Sequence, residues 1–162
     1  MAQRVAWWQK YGTVGQIAQA VVALFGFLAI LIQVNVLAKN AHQAGARQIY
    51  QAYNDLEFKH PQYAKPDLDR LKAGPPNEFI QYETFVSYFL YACEEAVAAF
   101  DNRNEWQATC DYDLREHLPF LCEKMVREPT YIATYSTETQ RWIASELKKA
   151  GMTAPDCKLR KT

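Results

Sequence analysis

The sequence predicts an all-α protein: one N-terminal transmembrane helix continuing into a small cytoplasmic helical bundle, with several copies assembled together. Three observations predict it. No charged residue occurs from Val14 to Leu37. No segment alternates apolar and polar residues in the manner of a half-buried strand. All 18 acidic residues lie from Asp55 onward, whereas Arg4, Lys10, Lys39 and Arg47 precede them, so the N-terminal part is built for a different solvent. A length of 162 residues with 49% hydrophobic side chains suits one compact domain with an appendage. The net charge of zero excludes a global electrostatic pull toward nucleic acid or an anionic surface.

Residues 1–12 are expected to form an interfacial tail, in which Trp7, Trp8 and Tyr11 favour the lipid headgroup level and Lys10 can snorkel. Residues 13–38 are the expected span. At 1.5 Å per residue the uncharged stretch would be about 36 Å long, enough to cross a hydrocarbon core of about 30 Å with some tilt. A signal peptide should carry a shorter apolar run and a small-residue cleavage site. A core helix of so small a protein should keep a polar face, and Ala20 to Ile32 shows none. Arg4 and Lys10 on one side balance Lys39 and Arg47 on the other, so the positive-inside count is a tie. The four cysteines, Cys93, Cys110, Cys122 and Cys157, form no CxxC pair and are expected to be reduced thiols. That places the C-terminal domain in the cytoplasm and the span in the inner membrane.

Amides interrupt the apolar run. At 100° per residue, Gln16, Gln19, Ala23, Gly26, Ile30 and Gln33 share a sector of roughly 100°. Val21, Leu24, Phe25, Leu28, Leu31 and Ile32 lie on the other side. Lipid penalises an unpaired amide, so this stripe should face protein or water. It reads either as a close-packed helix seam or as the lining of an aqueous pore. Small residues favour the seam; the lack of a GxxxG motif weakens it.

Residues 39–60 are expected to continue as a membrane-proximal helix, together with the span a single long rod ending before Pro61. Ile49, Ala52, Tyr53 and Leu56 form its apolar face; Lys39, Gln43, Arg47, Tyr50 and Asn54 form a polar one. Residues 61–150 are the expected helical domain. It opens with a loop holding Pro61, Pro66, Pro75 and Pro76, with room for one short turn of helix. A central helix follows from about Glu78 to Phe100, capped by Asn77. Glu83, Glu94 and Glu95 keep it from being a second span. Further helices are predicted over Asn104–Leu118, from Pro119 through Met125, from Pro129, and from the capping-box spacing of Thr137 and Gln140 to Ala150, stopped by Gly151. Residues 151–162 read as a flexible basic tail.

Catalytic patterns are missing. There is no phosphate-binding glycine loop, GxSxG or HExxH, and Cys110, His117 and Cys122 lack zinc spacing. The chain is therefore expected to be no enzyme, with no metal and no cofactor. A ligand site is the remaining chemistry. Arg103 with Trp106, Lys124 with Arg127 and Tyr131, and Arg141 with Trp142 combine cations that hold phosphates with rings that stack on bases. Lys39, Arg47 and Tyr50 join them as candidates.

One N-terminal span on a small helical domain resembles the single-span membrane effectors of bacterial antiphage and CRISPR-associated defence, and the junction "AILIQVNVLAKNAHQAGARQIYQAY" is similar to a broad set of bacterial single-span proteins in which a Gln/Asn-rich helix follows the membrane. The likeness is one of architecture. It departs from the HEPN-related members, because Arg115 lies only two positions before His117. The resemblance implies homo-oligomerisation, with four or more copies favoured, and membrane permeabilisation. It also implies control by a nucleotide or oligonucleotide signal, by the synthase of that signal, or by another partner protein. A non-conducting bitopic adapter that anchors a protein-binding module is the alternative.

Overall fold

The computed structural model describes the backbone of residues 2–100, 103–153 and 158–159, and side chains over 15–100 and 103–152. The chain is overwhelmingly helical. It divides between His42 and Gln43 into two compact units. The first unit is the N-terminal part of one helix, α1 (Ala2–Lys59). Nothing in residues 14–59 breaks it: no proline occurs there, and Gly45 is tolerated. Every described residue from Gly15 to His42 is exposed.

The second unit takes up α1 from Gln43. Ala46 and Tyr53 are buried there, and Ile49, Tyr50 and Leu56 pack beside them. These positions recur at helical spacing. Ala52, expected on this face, is exposed, and Ala46 takes its role one turn and more earlier. The proline-rich loop holds two short helices, α2 (Pro61–Ala64) and α3 (Leu68–Ala73). Asp67 caps α3 by accepting from the Arg70 N–H at 3.0 Å.

The core is organised by α4 (Pro76–Ala99). The expected Asn77 cap is not used; Pro76 occupies the first turn instead, where its missing N–H is harmless. Tyr82, Phe85, Val86, Phe89 and Leu90 are all fully buried. Tyr53 of α1 packs its ring 5.6 Å from Phe85 and 5.3 Å from Phe89. Each such ring, taken wholly from water, contributes about 2–3 kcal/mol.

One helix, α5 (Arg103–Arg127), replaces the two that Pro119 was expected to separate. A proline inside a helix costs about 3 kcal/mol. Its neighbours Leu118, Phe120 and Leu121 are buried, and their packing offsets that loss. Phe120 lies edge-on to Tyr82 at 5.2 Å. Beyond α5 comes a 3-10 turn over Ile132–Thr134 where a short helix from Pro129 was expected. The last helix, α6 (Thr137–Lys149), is capped one residue before the anticipated Thr137: Ser136 accepts from the Thr139 N–H at 3.2 Å. Gly151 ends it at φ 70°, where an L side chain is strained. Within the expected tail, β1 (Met152–Thr153) pairs antiparallel with β2 (Lys158–Leu159), and Met152 is buried.

The described cysteines are not the reduced thiols expected from the sequence, and Cys157 lies outside the described residues. Cys93 of α4 and Cys110 of α5 form a disulfide with Cα atoms 5.9 Å apart. Cys122 is disulfide-bonded as well. Spacing could not reveal this pairing, because the α4–α5 turn decides which thiols meet.

Two ionisable groups of α5 sit against this core. The ring of His117 is buried among Tyr82, Phe85 and Phe89. Its Nδ1 lies 3.1 Å from the Tyr82 hydroxyl, while its Nε2 has no partner. Burial pushes its pKa down to about 4. One turn earlier, burial and then the Glu57 carboxylate push Asp113 up to about 6. Neutral His117 gains a proton more readily when unfolded, so acidification from pH 6.5 toward 4 favours unfolding. Asp113 works in reverse: it binds its proton more tightly when folded, so acidification through pH 6 toward 3.8 favours the fold. Asp113→Asn removes the second effect. In detergent-held protein it should add about 1 kcal/mol at pH 7.5, a value reduced for its partial exposure. Its melting temperature, followed by circular dichroism, should then fall more steeply than that of the unsubstituted protein between pH 6.5 and 4.5.

Candidate functional site

The most unusual surface is the first unit of α1. It contains a window of mean hydropathy 2.5, none of it buried, and is long and apolar enough to cross a membrane. Val22, Phe25 and Ile32 are more than 60% exposed, and a contiguous apolar surface of this kind marks a contact with a membrane or with protein. Within it Gln16, Gln19, Ala23, Gly26, Ile30 and Gln33 are all exposed and share one stripe of the helix. A Cβ added to Gly26 would meet nothing within 4 Å. Trp7, Trp8, Lys10 and Tyr11 belong to the part of α1 whose side chains lie outside the described residues.

The candidate ligand-binding residues do not converge on one place. Lys39 is exposed on the first unit. Arg47 lies 5.2 Å over the ring of Phe100, and Trp106 stacks on that ring at 5.1 Å. Tyr50 meets Trp106 edge-on at 4.9 Å. These four form one cluster joining α1, the end of α4 and the start of α5. Burial, then Asp113 and Glu57, raise the Tyr50 pKa to about 12, so its hydroxyl stays protonated at neutral pH. Arg103 instead pairs with Glu138 at 2.5 Å, and Arg127 lies 3.6 Å from Glu123. Arg141 is exposed on α6. Its neighbour Trp142 donates from Nε1 to Asp111 at 2.6 Å.

Lys124 is the best-held cation. Its side chain is 10% exposed and pairs with both Glu83 of α4 and Glu128, the latter at 2.7 Å. Its ammonium also lies 5.2 Å from the centre of the Tyr131 ring. Ser87, one turn beyond Glu83, is 2.8 Å from the Tyr131 hydroxyl. Glu94 accepts from the Ser136 N–H at 2.9 Å. Glu83, Ser87 and Glu94 thus form one face of α4 that holds the segment after α5. Helical spacing put the three on one face but carried no sign of their partners, which come from far along the chain.

A cleft of about 220 Å³ lies between α4, α5 and α6, lined in part by Glu94, Arg103, Gln107, Glu138 and Trp142. Its volume is below the 300–1,000 Å³ of most small-molecule sites, and its one arginine already has a carboxylate partner. No group of His, Cys, Asp and Glu among the described residues is arranged to hold a metal. Cys110 and Cys122 are both in disulfides and supply no thiolate. No family model, curated protein or solved structure matches the chain.

Lys124→Met should leave Glu83 half-buried without a partner and cost about 2 kcal/mol, less than the loss at a fully buried pair. Adding Glu83→Gln should recover part of that. Thermal melts of the single and double variants measure both.

Proposed function

We propose that the chain is a single-span membrane protein that self-assembles through the amide stripe of α1, in four or more copies, into a pore or pore seal. The observation that carries this reading is the exposure of Gln16, Gln19 and Gln33 within a stretch of helix long and apolar enough to cross a membrane. Amides in hydrocarbon need hydrogen-bond partners. One span has none to offer itself at this spacing, whereas a ring of identical spans brings the amides together around an axis where water or one another can satisfy them. The small residues Ala23 and Gly26 within the stripe allow close approach of helices.

Control requires an input that binds one state of the pore better than the other. Arg103, Lys124 and Arg127 are engaged within the domain, which favours a partner protein over a nucleotide as that input. The architectural likeness to antiphage effectors favours a conducting assembly. The closed, disulfide-bonded core of the second unit supports the alternative, an anchored binding module in which α1 is only a tether.

Mass measurement of the detergent-solubilised protein should give four or more copies, and reconstituted protein should conduct. Gln19→Leu should lower the copy number or abolish the conductance. One or two copies, with function kept after the span is exchanged for an unrelated apolar helix, would establish the tether instead.

A further inference from the structure

The cysteines decide an orientation that the charges leave open. We infer that the helical domain, from Gln43 onward, folds in an oxidising compartment, on the opposite side of the membrane from residues 1–13. The inference rests on the reading of α1 as a span.

Cys93, Cys110 and Cys122 are the described cysteines, and each is in a disulfide. Cys93 and Cys110 are fully buried, so their bond is part of the architecture rather than an exposed redox sensor. It ties α4 to α5 across a separation of 17 residues, a closure that stabilises a fold by restricting the unfolded chain. Glutathione and thioredoxin keep such thiols reduced in the cytosol, where lasting structural disulfides are rare. A domain in which every described cysteine is oxidised belongs to the other side of the membrane.

The flanking charges agree with this orientation without being able to select it. Arg4 and Lys10 precede the uncharged stretch; Lys39 and Arg47 follow it. Charges close to a span weigh in orientation, whereas a long domain crosses largely regardless of its charge. With residues 1–13 inside, Arg4 and Lys10 satisfy the positive-inside tendency, and the remainder of the chain is free to be exported.

The orientation also names the class of partner. A nucleotide made in the cytosol cannot reach this domain. What binds it must itself lie outside the cytosol: the exported domain of another membrane protein, or a second copy of this chain. The paired face of Glu83, Lys124 and Glu128 and the cluster of Arg47, Phe100 and Trp106 would then meet external conditions directly.

The test uses the full chain in a bacterial host. Cells are quenched in acid to trap the thiols, denatured, and treated with a maleimide carrying a 5-kDa polymer (about 5 kDa added per free thiol), with and without prior reduction. No adduct before reduction and four after it, matching the four cysteines of the sequence, is the expected result. A green fluorescent protein fused after Thr162 should stay dark, and alkaline phosphatase at the same place should be active. Adducts without reduction, or a fluorescent fusion, would overturn the inference. Carbonate extraction separates it from the reading beneath it. Oxidised protein in the membrane pellet supports both. Oxidised protein in the supernatant overturns the span and with it the assignment of two sides. Reduced protein in the pellet overturns the orientation alone.

Discussion

The structure turns on a mismatch of solvents along one helix. From Gly15 to His42, α1 turns apolar side chains outward on every side and buries none of them. From Ala46 to Leu56 the same helix directs one face into a protein core and leaves the rest polar. The hydrophobic effect is indifferent to sequence distance and acts on each stretch separately. The first stretch is long and apolar enough to cross a membrane. The second needs α4 and α5.

That interior is dense with aromatic side chains. Tyr53, Tyr82, Phe85, Phe89 and Phe120 are all at most 1% exposed, and their tilted and edge-on contacts are the geometry that ring quadrupoles favour. Polar groups within it are placed rather than avoided. The Tyr82 hydroxyl finds His117, and the hydroxyl of Tyr88 reaches the Ile49 carbonyl at 3.4 Å. Around the rim, the carboxylates of α4 hold the connection that leads from α5 to α6. The one apparent defect among the described residues, the unpartnered Nε2 of His117, is tolerable only because the imidazole remains uncharged there.

What the sequence made legible was local. The unbroken reach of α1, the stop before Pro61, the central place of α4 and the halt at Gly151 follow from prolines, glycines and helical spacing. So does the amide stripe, because its members lie within a few turns of one another. What stayed hidden depends on partners distant in the chain. Pro119 was read as a helix start because its neighbours' burial could not be known. Cys93 and Cys110 were read as thiols because only the α4–α5 turn brings them together. Arg103 and Lys124 looked like free cations until Glu138 and Glu83 arrived beside them. A basic residue near a ring in sequence is thus a poor guide to a binding site when half the acids that could neutralise it are placed by tertiary packing.

The full burial of Cys93 and Cys110 constrains how each molecule matures. An oxidase needs access to a thiol, and neither sulfur is accessible once α4 and α5 have closed. The bond therefore has to form while the two helices are still apart, as the chain emerges, or during an opening large enough to separate them. Biogenesis of this domain is consequently a race between oxidation and collapse. A cell lacking its thiol-oxidising machinery would accumulate a packed but unstapled species that later oxidants repair only slowly.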